Sequence, residues 1–317
     1  LYAFFTTLTA FTALFFRFGY FTSLKVLLAN NKDQQREREY YGLSLLIGGT
    51  IGLAYVLFVF GISFGIDPVF EISFGSTLRA VAPLCIIFPL QHLLQDLTVG
   101  SNRINQMAGY EVGAKVLFIL PLGFLFFLDQ LTLFQLVWLN TGAALLAMGV
   151  VFWQLSPSFR NWRRRLQALR SKQRSYGRYY YAGNLANQTT FKLDELLISY
   201  VINTTQLGFY TLANMICAPM VMMSQALSNS LFKDFASQKR IPSRVFLYNT
   251  LWLIACVVGL ALLGSVIVNW FFGIDYQLVA DYVIPLSIAH FFQGLYQPFT
   301  FLSAKSWGKA IRNVSLM

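Results

Sequence analysis

The sequence predicts an all-α integral membrane protein with two six-helix lobes related by a parallel internal repeat, of which this chain holds nine helices. Three observations support this prediction. The 317 residues are 56% hydrophobic and 12% charged, whereas a soluble domain carries about 25% charged residues. Apolar runs of the length that spans a bilayer follow one another along the chain. Short motifs from the first half also recur in the second.

The apolar runs define nine predicted spans, which we place at residues 1–28, 41–63, 78–97, 111–128, 132–153, 178–202, 209–232, 246–272 and 282–303. Every second connection contains Lys or Arg, from Arg103 alone in 98–110 to seven such residues in 154–177 that include Arg160 and Arg174. The connections between them, at 64–77, 129–131, 203–208 and 273–281, contain neither residue. By the positive-inside rule the basic connections are cytoplasmic, so the chain begins outside and ends inside. Membrane topology therefore accounts for the net charge of +11, and no nucleic-acid partner is expected.

The internal repeat sets the predicted domain organisation. The segment 64–67, Phe-Gly-Ile-Asp, recurs at 272–275, and eight residues between 83 and 101 recur 202 positions later (285 − 83). A repeat of six helices keeps both halves in the same orientation. We expect an N-terminal lobe at 1–153, a basic cytoplasmic linker at 154–177 and a C-terminal lobe at 178–317. On this layout the chain is a fragment of a protein with at least twelve spans, and lacks its first helix and its last two.

No enzymatic site is predicted. The chain has two histidines and three cysteines that share no metal-ligand spacing, and it contains no nucleophile motif or phosphate-binding loop. The predicted outward connections are also short. A transporter is expected rather than an enzyme, without a metal site.

The predicted span 178–202 carries most of the polar side chains at membrane depth. Its candidate site residues are Asn184, Asn187, Gln188, Lys192 and Asp194. If this strip faces a cavity, its amides hydrogen-bond a polar substrate, Lys192 holds an anion, and Asp194 orients it or binds a coupling cation. The alternative is a set of contacts that only hold helices together, with Glu195 reaching toward the outer surface. Asp194 is expected to be the deepest carboxylate.

Three further polar positions are candidates. Arg17 lies inside the first span, and Gly19 allows a bend beside it; Arg17 either faces a cavity or extends to the cytoplasmic headgroups. The pairs Gln91/Gln95 and Gln293/Gln297 each place two amides on one helix face. Gln91 and Gln293 either line a shared cavity or form hydrogen bonds between helices.

The two-lobe layout, together with the segments 17–23 (Arg-Phe-Gly-Tyr-Phe-Thr-Ser), 192–198 (Lys-Leu-Asp-Glu-Leu-Leu-Ile) and 208–213 (Gly-Phe-Tyr-Thr-Leu-Ala), resembles the Wzx-type flippases of O-antigen and exopolysaccharide assembly. These belong to the MATE-like exporter superfamily. The resemblance implies translocation of an undecaprenyl-pyrophosphate-linked oligosaccharide by alternating access across the bacterial cytoplasmic (inner) membrane. Arg17 and Lys192 suit the pyrophosphate, and the three amides of span 178–202 suit sugar hydroxyls.

The same resemblance implies further partners and one alternative. Membrane lipids are expected partners, together with a polysaccharide polymerase and a chain-length regulator. No bound cofactor is expected, and coupling to H⁺ or Na⁺ is left open. The alternative function is a cation-coupled multidrug exporter of the same superfamily.

Overall fold

A computed structural model of the protein describes residues 2–70, 73–127, 132–238, 240–305 and 307; for residues 187–192, 196, 199 and 204 it describes the backbone alone. The described chain is helical throughout, without a strand. It divides into two compact units, which we call the N-terminal unit (Leu1–Thr189) and the C-terminal unit (Thr190–Trp307).

The N-terminal unit contains nine helices: α1 (Tyr2–Phe15), α2 (Tyr20–Ala29), α3 (Gln34–Ile62), α4 (Ile66–Phe70), α5 (Gly75–Val81), α6 (Ile87–Gly100), α7 (Ile104–Phe127), α8 (Leu133–Leu155) and α9 (Trp162–Lys172). A 3₁₀ turn at Ala82–Ile86 joins α5 to α6 in one long span. Pro83 lies at the start of this turn, where its missing N–H costs no helical hydrogen bond. A π-helical turn at Gln173–Gly177 connects α9 to the next helix.

Helix α10 (Arg178–Leu197) crosses from the first unit into the second, where a π-helical turn at Ile198–Ile202 extends it. The C-terminal unit continues with α11 (Thr204–Ser230), α12 (Phe232–Ser237), α13 (Ser243–Phe272), α14 (Gln277–Tyr296) and α15 (Thr300–Ala304), with 3₁₀ turns at Ile274–Tyr276 and Gln297–Phe299. Pro219 and Pro285 lie inside α11 and α14.

The predicted membrane fold is confirmed. Within the described residues, seven helical segments are long and apolar enough to span a bilayer, and the bent pair α1–α2 makes an eighth. The ninth predicted span, at 178–202, is helical but more polar than these. Large apolar side chains such as Leu262 and Trp270 are exposed along α13, as expected for a surface that contacts lipid.

Helix α9, which lies within the basic connection 154–177, packs against the other helices of the N-terminal unit. Leu169 of α9 is fully buried in a cluster with side chains of α2, α3 and α6. The Arg165 Nε atom lies 2.6 Å from Glu39 Oε2, and Asn161 donates to the other carboxylate oxygen at 3.0 Å. Burial lowers the pKa of Arg165, but the bond to Glu39 outweighs this effect and raises the pKa overall. By its contacts, α9 belongs to the N-terminal unit. The predicted division into a lobe at 1–153 and a separate linker at 154–177 stays a prediction.

The aspartate of the Phe-Gly-Ile-Asp motif has a different environment in each of the two copies. In the first copy, Asp67 Oδ1 accepts hydrogen bonds from the backbone N–H groups of Phe74 and Gly75 at 2.8 and 2.7 Å. These groups lie at the N-terminus of α5, so Asp67 caps that helix. In the second copy, Asp275 is exposed within a short 3₁₀ turn.

Glycine allows close helix packing in both units. A Cβ atom on Gly48 of α3 would lie 2.5 Å from Leu93 of α6. In the C-terminal unit the residue types are exchanged, because a Cβ atom on Gly294 of α14 would lie 2.5 Å from Leu253 of α13. Each pair lets a leucine of one helix fit against the backbone of its neighbour.

Candidate functional site

The first span is broken at the point where Arg17 lies. Helices α1 and α2 are bent by 72° relative to each other. Phe18 and Gly19 adopt positive φ angles of 47° and 72°. A Cβ atom on Gly19 would also lie 2.3 Å from the backbone carbonyl oxygen of Gly177. Glycine is therefore needed here for its backbone conformation and for a close approach.

Side chains from the segment around Gly177 satisfy carbonyl groups that the break leaves without helical partners. Tyr181 Oη donates to the Phe15 carbonyl at 2.9 Å, and Gln173 Nε2 donates to the Phe18 carbonyl at 3.2 Å. The Tyr181 ring also contacts Phe18, with centroids 6.2 Å apart. A break at membrane depth is tolerated where such groups replace the lost hydrogen bonds.

Arg17 belongs to a buried cluster of charges. Its Nη2 atom donates to Asp96 Oδ2 at 3.2 Å, and Thr22 Oγ1 donates to the same oxygen at 3.4 Å. Lys25 Nζ lies 3.8 Å from Asp96 Oδ1. Three parts of the chain meet in this cluster. The break after α1 supplies Arg17, the first two turns of α2 supply Thr22 and Lys25, and the end of α6 supplies Asp96. We call Arg17, Thr22, Lys25 and Asp96 the charge cluster.

The charge cluster is largely buried and carries an excess of positive charge. The side chains of Arg17, Lys25 and Asp96 are 15%, 11% and 8% exposed. Among the described residues of the cluster, two cations share one carboxylate, which gives the cluster a net charge of +1 in a region where an isolated ion is costly. Such a cluster attracts an anion with several oxygen acceptors, above all a phosphate, which Arg can hold through two hydrogen bonds.

The prediction for Arg17 is thus refined. The side chain neither stands free in a cavity nor extends to the headgroups, because Asp96 holds it inside the unit. Sequence analysis did not single out Asp96. The available signal was its position directly after Gln95, in a run of apolar residues where a carboxylate needs a partner.

Of the two predicted glutamines, Gln91 forms a hydrogen bond between helices, and Gln293 contacts a neighbour on its own helix. Gln91 Nε2 of α6 donates to Tyr110 Oη of α7 at 2.7 Å. Gln293 Oε1 lies 2.9 Å from His290 Nδ1, and His290 Nε2 lies 3.1 Å from Asn214 Oδ1 of α11. For Gln91 the geometry favours the interpretation in which the amide links helices. Gln293 is joined to α11 only through His290 of its own helix.

The two carboxylates of α10 differ in exposure, and the buried one is Glu195 rather than Asp194, which was expected to lie deepest. Asp194 is exposed, and Glu195 is 5% exposed. Asn184 is half-buried. The side chains of Asn187, Gln188 and Lys192 lie outside the described residues, so their role stays a prediction.

A groove of about 380 Å³ lies between α7 and α8, lined by residues such as Gln106, Gly113 and Gln154. None of the predicted site residues is among its lining. The charge cluster is therefore the strongest candidate site in the part of the chain that the structure describes.

Comparisons with known proteins agree on family and fold. A family profile described as "Polysaccharide biosynthesis protein" matches residues 1–222. A similar solved structure is described as the "outward-facing conformation of a multidrug resistance MATE family transporter of the MOP superfamily". The two chains share 15% sequence identity with a TM-score of 0.62, over 99% of this chain and 75% of that one. No curated protein matches.

The family profile covers more than two thirds of the chain, and the structural similarity extends over almost all of it. Family and fold favour a transporter over an enzyme. The resemblance seen in the sequence is thereby confirmed. The chain belongs to the polysaccharide biosynthesis protein family, that of the Wzx-type flippases, and has the fold of a MATE transporter.

Proposed function

We propose that this protein carries an undecaprenyl-pyrophosphate-linked oligosaccharide across the bacterial cytoplasmic membrane. The site would open alternately to each face, and the substrate must bind in both states, because a ligand that binds only one state traps it. The observation that carries the proposal is the charge cluster, which places two buried cations around one carboxylate in a polysaccharide biosynthesis protein.

The chemistry of the charge cluster suits a pyrophosphate. A phosphate oxygen could join Asp96 as a second acceptor for Arg17 and as a second counter-ion of Lys25. No member of the charge cluster would then lose its partner, which avoids the cost of an isolated buried charge. The net charge of +1 favours an anionic cargo and opposes a cationic drug.

The sugar groups would contact the polar face of α10. Asn184 is half-buried, and we propose that it acts together with Asn187, Gln188 and Lys192. The carboxylate beside them that is suited to a buried role is Glu195, in place of the predicted Asp194. Gln91 would support the helices around the site through its hydrogen bond to Tyr110, and Gln293 would do so by orienting His290 toward Asn214.

Under this proposal the basic connections face the cytoplasm and no cofactor is required. A polymerase and a chain-length regulator would act on the translocated product. Coupling to H⁺ or Na⁺ can be tested in membrane vesicles with ionophores that dissipate one gradient at a time. Loss of transport with one ionophore identifies the coupling ion, and transport that resists both indicates uncoupled movement.

The test of the proposal uses the intact gene. We expect a deletion strain to accumulate lipid-linked oligosaccharide on the cytoplasmic face, and the wild-type copy to clear it. Copies with Arg17→Ala, Lys25→Ala or Lys192→Ala should be present in the membrane and fail to clear it. Lys32→Ala is the control, because Lys32 is exposed at the end of α2. Absence of accumulation together with sensitivity to cationic drugs would contradict the proposed substrate.

A further inference from the structure

The segment from residue 156 to residue 178 holds eight basic residues and no acidic one. Topology alone can place such a run on the cytoplasmic side. The orientation of the individual side chains shows more. Helix α9, which forms the middle of the segment, separates them into two faces.

The inner face of α9 is fixed to the protein. Leu169 is fully buried, and Arg165 is paired with Glu39 at 2.6 Å. The backbone N–H of Ser158, just before the helix, donates to the Arg38 carbonyl at 2.9 Å. A Cβ atom on Gly42 would lie 2.2 Å from the Ser158 carbonyl oxygen, so the connection runs tightly against α3. The helix is therefore held in one orientation.

The outer face of α9 and of the π-helical turn that continues it carries four exposed arginines, which we call the arginine face: Arg163, Arg164, Arg170 and Arg174. Within the described chain, the ion pairs of nearby carboxylates are formed with other arginines: Asp33 with Arg36, Glu37 with Arg103 and Glu39 with Arg165. The arginine face takes part in none of them. Its charge is thus available to a ligand from outside the protein.

Aromatic side chains place this face beside the membrane surface. Trp153, at the end of the spanning helix α8, is 81% exposed, and Phe159 and Trp162 follow it at 52% and 39%. The guanidinium of Arg163 lies 5.4 Å above the Trp162 ring. Exposed tryptophans at the end of a span mark the level of the lipid headgroups.

From these contacts we propose that the arginine face of α9 is a binding site for the phosphate groups of anionic phospholipids in the adjacent leaflet. Arginine binds phosphate oxygens through paired hydrogen bonds, and basic amphipathic helices at the membrane surface attract anionic lipids. The fixed orientation of α9 makes this a defined site, distinct from the charge cluster and from the translocated substrate.

The test measures lipid binding and needs no transport assay. Purified protein is titrated with phosphatidylglycerol or with phosphatidylcholine, and bound lipid is counted by native mass spectrometry. The test variant combines R163A, R164A, R170A and R174A, and retains Arg165 and Leu169 so that α9 stays docked. The control variant combines K32A, R38A, R240A and R244A, which removes the same charge from exposed positions elsewhere.

We expect the test variant to lose phosphatidylglycerol affinity by about tenfold or more and the control variant to lose about threefold or less. Binding by the wild type should weaken with added salt, and phosphatidylcholine should not discriminate between the variants. Equal losses in both variants would overturn the proposal, because general positive charge would then suffice. Unchanged binding in the test variant would also overturn it, and would indicate that the arginine face binds an acidic protein partner instead.

Discussion

Asp96 is the residue on which the charge balance of the N-terminal unit depends. It contacts both Arg17 and Lys25, and its own side chain is 8% exposed. An unpaired charge at such a position is far more costly than a neutral group. The residue therefore holds two cations in place, at a point where the first span is broken.

Substitution of Asp96 by Asn tests this role. The change removes the negative charge and keeps the shape, so Arg17 and Lys25 repel each other without a counter-ion. We expect a loss of about 3 kcal/mol in the free energy of unfolding, measured by denaturation in detergent micelles. Asp33→Asn is the control, since its pair with Arg36 is half-exposed and a surface pair contributes about 1 kcal/mol or less. Similar losses in both variants would contradict a special role for Asp96.

The sequence indicated which residues are important more readily than which residues they contact. Arg17 and Gly19 were recognised from the sequence because a charge and a glycine inside an apolar run are local signals. The pairing of Arg17 with Asp96 spans 79 positions, and no local pattern predicts it. The burial of Glu195 beside an exposed Asp194 was not predicted for a related reason. Adjacent helical residues point about 100° apart, so the exposure of each depends on the rotation of α10 about its axis.

At the scale of the element, the break between α1 and α2 depends on Gly19. An alanine there would need a positive φ angle and would meet the Gly177 carbonyl oxygen at 2.3 Å. The bend itself was foreseen as something that Gly19 permits. The close approach of residue 177 was not, because it joins segments that are distant in the sequence.

We expect Gly19→Ala to destabilise the protein by about 2 kcal/mol or more, through backbone strain and a forced separation of Gly19 from Gly177. The matched control is Gly49→Ala in α3, where the added Cβ atom meets open space. Because alanine favours a helix over glycine by about 1 kcal/mol, the control should be neutral or stabilising. Thermal unfolding of the two variants decides between them. Equal melting temperatures would contradict the proposed requirement at residue 19.

The two aspartates of the repeated Phe-Gly-Ile-Asp motif provide a second comparison. Asp67 caps α5 with two hydrogen bonds to backbone N–H groups, whereas Asp275 is exposed. Asp67→Ala should therefore cost about 1 kcal/mol in unfolding free energy, and Asp275→Ala should cost less than half of that. Chemical denaturation of each variant measures the difference. A larger loss for Asp275→Ala would show that the second copy has a structural role of its own.

At the scale of the whole molecule, the fold was the best-predicted property. Nine predicted spans correspond to helical segments, because long apolar runs leave few alternatives to a helix within a bilayer. The attachment of α9 could not be predicted. It depends on contacts between distant parts of the sequence, such as the burial of Leu169 and the ion pair of Arg165 with Glu39, two residues 126 positions apart.

Loss of that ion pair should loosen α9 from the N-terminal unit. In Arg165→Ala, Glu39 is left buried without its cation, and we expect trypsin to cleave at Arg170 and Arg174 several-fold faster than in the wild type. Arg163→Ala is the control, because this side chain is exposed and outside the ion pairs of the described residues. Cleavage rates from a time course of limited proteolysis check the prediction. Equal rates in the two variants would mean that Leu169 and its neighbours suffice to hold the helix.

The exchange of glycine and leucine between the two units limits what recombination of this protein could produce. At the repeat offset of 202, Gly294 of α14 corresponds to His92 of α6 (294 − 202). A hybrid that joined α13 to α6 would therefore set an imidazole where Leu253 now packs against the bare backbone of glycine, and the two side chains would compete for one space. The two units have therefore diverged at their helix contacts, and a helix of one unit is not interchangeable with the corresponding helix of the other.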